Sequence, residues 1–448
     1  MGFPKSFIWG AAAASYQIEG GAADDGRTPS IWDMFCDQPG KIRNGDTGAA
    51  ACNHYHLYKQ DVAIMKELGL GAYRFSISWS RVIPEPGHVN KAGLDFYDRL
   101  VDELLANDIT PWTTLFHWDL PRWAFHRGGW LNRDVHNWFG DYTQAVVERL
   151  SDRVRNWMTV NEPQCFIGSG YGATVHAPGI VYGEREFFLA WHHALLSHGK
   201  AAQVIRGKAR ITPHIGAALT GQVAFPDTES PEDIDAARQY MFLKDNTWNY
   251  SYFADPMVTG AYPRDLMNQF EKAKIEINER DLNTIAQPLD FFGVNIYNGV
   301  RVTMADEGPE VVPHKTGYPK TSFKWPVTPE ALYWGPRFLY ERYELPLVIT
   351  ENGMANADVV SLDGKVHDPQ RIDFLQRYLR ELGDAITDEV DIRGYFAWSI
   401  MDNFEWAEGY AERFGLIHVD YATQKRTPKD SAYWYRDVIR SNGKSLYQ

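Results

Sequence analysis

The stretch LVITENG, residues 347–353, has the pattern of a short buried strand that ends in a carboxylate. Leu347, Val348 and Ile349 form an apolar run, and Glu351 follows closely behind it. An ionised side chain at the end of a buried strand is costly unless it is paired or has a chemical role. The stretch therefore predicts a strand that delivers an acidic group to a defined place in the fold.

Seven other short apolar runs recur along the chain. They alternate with segments such as 60–70 and 94–108, whose apolar residues fall at i, i+3, i+4 and i+7 as on an amphipathic helix. Eight strands that alternate with helices predict an α/β fold with a parallel sheet, and eight strands close a (β/α)8 TIM barrel. The predicted strands are residues 7–14, 72–78, 109–116, 154–160, 209–219, 290–297, 345–350 and 392–400.

Nothing in the 448-residue sequence marks a domain boundary, because it contains no Ser/Gly-rich linker, low-complexity tract or repeated motif. We expect a single catalytic domain over residues 1–448, a length that a barrel with long loops can reach. The connections after the fourth, fifth and sixth strands are long, which is typical of functional loops. Between about Val300 and Leu345, prolines predict an irregular course; they are Pro313, Pro319, Pro326, Pro329 and Pro336.

Charge and cysteine content exclude several classes of protein. The net charge of −13 repels phosphate backbones, so we expect no nucleic-acid partner. No apolar run of eighteen residues exists to span a bilayer. The three cysteines give no disulfide framework and favour a reducing, cytoplasmic compartment. Residues 7–15 loosely resemble a signal peptide, but they also suit a first strand.

Polar and aromatic residues follow the apolar runs, and in a barrel all the carboxyl ends of the strands meet on the face that carries the active site. Two carboxylates directly follow a run: Glu162 in TVNEP (159–163) and Glu351 in ITENG (349–353). On the fourth and seventh strands they would face each other, as the cleavage of a glycosidic bond requires. For either motif alone, a structural salt bridge is the simpler interpretation.

The motifs and their order resemble glycoside hydrolase family one, the retaining β-glucosidases and their relatives, over almost the whole chain. The resemblance implies a retaining β-glucosidase with a carbohydrate substrate, β-galactosides and β-fucosides as secondary substrates, and no cofactor or metal. The motifs are FIWGAAAASYQIEG (7–20), PSIWDMF (29–35), HYHLYKQD (54–61), YRFSISWSR (73–81), FHWDLP (116–121), TVNEP (159–163), VNIY (294–297), ITENG (349–353), WSIMDNFEWAEGY (398–410) and RFGLIHVDY (413–421).

The resemblance implies that Glu351 is the nucleophile and Glu162 the general acid/base. Arg74 is implied to lie beside Glu351 and would lower its pKa, as a nearby cation does. The charge of Glu351 would raise the pKa of Glu162 by repulsion between like charges. Tyr297 is implied to hydrogen-bond to Glu351 and hold it in line.

The resemblance also implies a sugar-binding pocket with polar contacts and an aromatic floor, which suits an amphipathic sugar. Asn161 would contact the 2-hydroxyl, while Gln17 and Glu405 would hold the 3-, 4- and 6-hydroxyls. Trp325 would be the platform for the leaving group. The full implied set is Gln17, His117, Trp118, Asn161, Asn295, Tyr297, Trp325, Trp398, Glu405 and Trp406.

Three residues near the leaving-group subsite depart from the family pattern. Ser322 and Lys324 stand where relatives commonly carry Asp and Gly, and Gln164 follows NEP where Trp is usual. The preference for a leaving group therefore does not transfer from the family to this chain.

Three alternatives stay open at this point. A 6-phospho-β-glycosidase needs cations near the sugar O6, whereas Glu405 would repel a phosphate. A catalytically silent sugar-binding protein on the same fold is the second, although both carboxylates are present. The C-x-H-x-H pattern of Cys52, His54 and His56 suggests a metal, but its two-residue spacing suits packing in a strand or turn better than a tetrahedral site.

Overall fold

The computed structural model describes residues 2–243 and 248–448. Within these residues, eight parallel strands form a closed barrel in which each strand pairs with its neighbours in sequence and the first pairs with the eighth. The predicted (β/α)8 barrel is confirmed. Its strands are Ile8–Ala12, Ala72–Ser76, Thr110–Phe116, Asn156–Asn161, His214–Leu219, Phe292–Asn295, Leu347–Asn352 and Ile392–Trp398.

The barrel strands are buried on both faces, which explains why they appear in the sequence as continuous apolar runs. One set of their side chains fills the barrel interior, including Ala72, Trp112, Met158, Ala218 and Phe396. The remaining side chains pack outward against the helices, as alternation along a barrel strand requires. The strands therefore supply a rigid frame, and the residues after their carboxyl ends are left to form a site.

Helices surround the barrel, and the predicted helical segments 60–70 and 94–108 fall largely within His54–Glu67 and Lys91–Ala106. The α-helices are Ser15–Ile18, Ile31–Cys36, His54–Glu67, Trp79–Val82, Lys91–Ala106, Arg122–His126, Val135–Leu150, Pro163–Tyr171, Glu184–Lys208, Pro231–Leu243, Ser251–Val258, Arg264–Lys272, Glu279–Ile285, Ala331–Tyr343, Pro369–Thr387 and Asp430–Arg440. Short 3-10 helices cover Asp24–Gly26, Arg43–Gly45, Gly129–Leu131, Trp406–Glu408 and Lys444–Tyr447. None of the helices in the described part of the chain is long and apolar enough to cross a membrane.

The prediction of an irregular course from Val300 to Leu345 is wrong at both ends of that segment. Strands Gly299–Ala305 and Gly308–Val311 form a hairpin that pairs with Val223–Pro226 in a three-stranded sheet. Helix Ala331–Tyr343 includes Pro336, although proline lacks the N–H that a helix interior uses. Several side chains of this helix are fully buried, so tertiary packing outweighs the lost hydrogen bond.

The C-x-H-x-H pattern does not lie on a strand or turn as predicted, because His54 and His56 are in the first turn of the helix His54–Glu67. His54 Nδ1 lies 2.7 Å from a carboxylate oxygen of Asp61, about two helical turns further on. The Cys52 thiol lies 2.9 Å from the carbonyl oxygen of Asp402, and exposed His56 contacts Asp24. The three side chains thus have three separate partners.

The chain beyond the eighth strand is held by a buried network of charges. Lys429 lies between Asp402, at 2.7 Å, and Asp358. Arg413 pairs with Asp402 at 2.6 Å, and Arg371 pairs with Asp358 at 2.6 Å. The network therefore joins Asp358 and the helix Pro369–Thr387, which follow the seventh strand, to the segment that follows the eighth strand. That segment includes the hairpin formed by Ile417–Asp420 and Lys425–Pro428.

Candidate active site

A cavity of about 400 Å³ opens at the carboxyl ends of the barrel strands. Ten of the residues predicted from the sequence line it: His117, Trp118, Glu162, Asn295, Tyr297, Trp325, Glu351, Trp398, Glu405 and Trp406. A second hollow of about 550 Å³ lies at the opposite end of the barrel, and none of the described residues that line it carries a carboxylate. The acidic groups are therefore concentrated at the mouth that barrel enzymes use.

Three predicted residues lie directly behind this lining and are almost completely buried: Gln17, Arg74 and Asn161. The Gln17 amide nitrogen donates to Asn403 Oδ1 at 3.0 Å and to a Glu405 carboxylate oxygen at 3.4 Å. Gln17 thus contacts Glu405, which itself faces the cavity. In this structure these three side chains hydrogen-bond to residues that line the cavity.

The local backbone places each carboxylate differently. Glu351 is still within the strand Leu347–Asn352, whose register against the sixth strand shifts between Ile349 and Glu351. Glu162 follows the fourth strand and precedes the helix Pro163–Tyr171, with a φ of 46°. A left-handed backbone is uncommon for glutamate, and strained residues of this kind cluster at functional sites.

Both carboxylate oxygens of Glu351 have a donor. Arg74 Nη1 lies 2.5 Å from Oε1, and the Tyr297 hydroxyl donates to Oε2 at 2.7 Å. Burial raises the pKa of Glu351, while the Arg74 cation and the Tyr297 hydroxyl act in the opposite direction. The lowering effect expected of Arg74 is present, but the loss of water around this carboxylate has the larger effect, so the net pKa is raised.

Glu162 is held by the side chain of Asn295, whose Nδ2 donates to Glu162 Oε1 at 2.8 Å. Burial, and after it the charge of Glu351, raises the pKa of Glu162 to about 7. The direction agrees with the prediction, but burial is the larger cause. Because Arg74 stabilises a charge on Glu351, the proton shared by this pair belongs on Glu162 near neutrality.

Aromatic rings surround the two carboxylates. Trp406 packs on Trp118 with ring centroids 4.5 Å apart, and the His117 ring stacks on Trp398 at 5.8 Å. On the outer side, Trp325 lies 5.1 Å from Tyr297. Lys324 has a φ of 65°, a backbone conformation that glycine adopts more readily than lysine.

The sequence-based prediction missed several residues that line the cavity. Phe323 packs on Trp325 with centroids 4.5 Å apart, and Phe414 lies 6.1 Å from the same ring. Cys165 also lines the cavity and hydrogen-bonds to Glu162. Phe414 and Cys165 lie in or beside the motifs RFGLIHVDY and TVNEP, so proximity to a motif was the available signal.

A (β/α)8 barrel with two buried glutamates in one aromatic-lined cavity is the arrangement found in barrel glycoside hydrolases. The family model for glycosyl hydrolase family 1 matches residues 1–444. The chain therefore belongs to glycosyl hydrolase family 1, as the motifs predict.

Individual relatives are similar to this chain over nearly their whole lengths. The chain is 44% identical to beta-glucosidase A of Thermotoga maritima in an alignment of 450 positions that covers 98% of each chain. It is 42% identical to a bifunctional beta-D-glucosidase/beta-D-fucosidase of Bifidobacterium breve, again over 98% of each chain. A solved structure of the beta-glucosidase from Thermotoga maritima in complex with glucoimidazole superposes with a TM-score of 0.90, at 44% identity and 99% coverage of both chains.

Proposed function

We propose that the protein is a retaining β-glucosidase that removes terminal non-reducing β-D-glucosyl residues from β-glucosides and short oligosaccharides. The observation that carries the proposal is the different environment of the two carboxylates. The two oxygens of Glu351 accept from the Arg74 cation and the Tyr297 hydroxyl, which stabilise its charged form. Glu162 has a pKa raised to about 7, so it can hold a proton near neutrality. A single catalytic domain over residues 1–448 would contain the whole site.

In the first step, the Glu351 carboxylate attacks the anomeric carbon while Glu162 gives its proton to the departing oxygen. The bond to the leaving group breaks as the bond to Glu351 forms, which yields a covalent glycosyl-enzyme and a neutral alcohol. Arg74 and Tyr297 hold the attacking carboxylate in place through its two oxygens.

In the second step, Glu351 carries no charge, so the repulsion that raised the pKa of Glu162 is lost. Glu162, now a carboxylate, accepts a proton from water as the water oxygen attacks the anomeric carbon. The bond to Glu351 breaks, and both carboxyl groups return to their starting states. Two displacements at one carbon leave the β configuration of the sugar unchanged.

The wall around Glu405 supports glucose as the sugar that is bound. Glu405 lies beside Gln17 and lines the cavity together with Trp398, which matches the implied pattern of polar contacts and an aromatic face. The similarity to a relative named as a glucosidase and fucosidase supports β-fucosides as secondary substrates. D-fucose has the same axial 4-hydroxyl as D-galactose, so β-galactosides are proposed with them.

A 6-phospho-β-glycosidase is the weaker candidate. The sequence suggests that a charged Glu405 would repel the phosphate. Burial and the neighbouring carboxylates, however, raise the pKa of Glu405 to about 8, which reduces this repulsion near neutrality. The described cavity lining, however, contains no lysine or arginine that could bind a phosphate.

Hydrolysis of p-nitrophenyl β-glucoside and of its 6-phosphate separates the two candidates. We expect turnover of the unphosphorylated substrate, with the β-anomer of glucose as the first product in the NMR spectrum. Glu351→Gly and Glu162→Ala should lose hydrolysis of unactivated glucosides and still bind glucose. Preference for the 6-phosphate, or the α-anomer as first product, would contradict the proposal.

The three cysteines, Cys36, Cys52 and Cys165, are free and buried, which supports a cytoplasmic location.

A further inference from the structure

We infer that Thr350, the residue before the nucleophile, is a positioning residue for the acid/base Glu162. The inference rests on the proposed function and concerns a side chain that no motif singles out for a role. Thr350 is completely buried, and its hydroxyl donates to Asn295 Oδ1 at 2.6 Å. Asn295 is the residue whose amide nitrogen donates to Glu162.

The orientation of the two amides in this cluster follows from one obligatory donor. Arg74 Nη2 lies 2.6 Å from Asn161, and a guanidinium has no acceptor, so the Asn161 atom must be the oxygen. The Asn295 atom 3.0 Å from that oxygen must then be nitrogen. The same nitrogen lies 2.8 Å from Glu162 Oε1, so Asn295 Oδ1 points away and accepts from Thr350.

The cluster therefore links the two carboxylates through hydrogen bonds of fixed direction. Arg74 donates to Glu351 and to Asn161. Asn161 accepts from the Asn295 amide nitrogen and Thr350 donates to the Asn295 amide oxygen, so Asn295 has a single orientation. In that orientation Asn295 offers an N–H to Glu162, which favours its charged form. The hydroxyl of Thr350 supplies the donor for Asn295 Oδ1. Without it this buried amide oxygen would lack a hydrogen bond, which is destabilising.

Thr350→Val tests the inference because valine keeps the shape of threonine and removes the donor. Asn295 Oδ1 then faces a methyl group, and the amide shifts away from Glu162. We expect the alkaline limb of the pH profile of kcat/KM to move upward, because Glu162 loses a donor to its charged form. We also expect kcat/KM for an alkyl β-glucoside to fall about ten-fold, a part of what general acid catalysis contributes.

An activated substrate provides an internal comparison. Asn295 also hydrogen-bonds to Glu351, so some loss is expected on every substrate. The 2,4-dinitrophenyl leaving group departs without a proton, so kcat/KM for its β-glucoside should fall less in Thr350→Val than kcat/KM for the alkyl β-glucoside. Thr350→Ser retains the hydroxyl. It should restore both the wild-type position of the alkaline limb and the wild-type kcat/KM for the alkyl β-glucoside. Thr113→Val is the matched control, since Thr113 is equally buried in the third strand but its hydroxyl has no partner among the described residues.

The proposal is overturned if Thr350→Val and Thr113→Val have the same pH limb and the same ratio of alkyl to dinitrophenyl activity. Lower thermal stability with an unshifted limb would show a structural role alone and would also overturn it. If Thr350→Val does not fold, Thr350→Ala replaces it with the same two outcomes. Absence of glucosidase activity in the wild-type chain would instead contradict the proposed function.

Discussion

Glu162 and Glu351 differ in their neighbours and not in their degree of burial. Both are almost completely buried, and burial is the largest cause of the raised pKa of each. What separates them is Arg74, which pairs with Glu351 at 2.5 Å, while Glu162 has the neutral donor Asn295. In the proposed mechanism, this one cation distinguishes the nucleophile from the acid.

Glu162→Gln tests the assignment of the acid. Glu162 must hold a proton in the first step, so wild-type kcat/KM should fall as the pH rises through about 7. In Glu162→Gln we expect this limb to disappear, together with a loss of about 10²–10⁴ in kcat/KM for alkyl β-glucosides. The dinitrophenyl β-glucoside should lose much less, and an equal loss on both substrates would count against the assignment.

The two carboxylates could be predicted at the residue scale because each directly follows an apolar strand. The support of Glu162 by Asn295 and Thr350 could not, because it depends on which amide atoms meet across three strands. The net direction of the pKa of Glu351 could not be predicted for a related reason. A sequence shows that an arginine is present, but only the fold shows how little water remains around its partner.

At the scale of the elements, the eight strands were predictable because burial on both faces leaves short apolar runs separated by amphipathic helices. Their ends differ from prediction by up to five residues, as at 209–219, where the strand begins only at His214. The helix Ala331–Tyr343 was missed because Pro336 is normally a helix breaker. Its buried side chains decided the outcome, and burial depends on the whole fold.

The network around Lys429 gives a prediction at this scale. Lys429→Met leaves Asp358 and Asp402 buried with one cation fewer, and breaking a buried pair costs about 3–5 kcal/mol. We expect that loss in the free energy of unfolding in urea, together with a raised KM, because the network holds the segment that carries Glu405. Lys425→Met, at an exposed position four residues before Lys429, is the control. Equal stability of the two variants would contradict the role given to the network.

For the whole molecule, the site is maintained at a cost in stability. Burial and three neighbouring carboxylates raise the pKa of Glu405 to about 8, whereas a glutamate in an unfolded chain has a pKa of about 4.3. The folded state therefore disfavours the ionised form, and the stability contributed by this group falls as the pH rises from about 4 to about 8.

Glu405→Gln removes that pH-dependent loss. We expect its melting temperature to exceed the wild-type value by roughly a few degrees at pH 8, and the difference to shrink toward pH 4. Glu85→Gln, at an exposed position, should show no such trend. A Glu405→Gln variant that gains nothing between pH 4 and pH 8 would contradict the sign of this shift.

Trapping of the covalent intermediate tests the central claim most directly. A fluorine at C2 of a glucoside with an activated leaving group slows both displacements, while the leaving group still allows the first, so the glycosyl-enzyme accumulates. Mass spectrometry of the digested protein should then locate one fluoroglucosyl group on Glu351. A label on Glu162 or on any other residue, or turnover without a label, would contradict the assignment of Glu351 as the nucleophile.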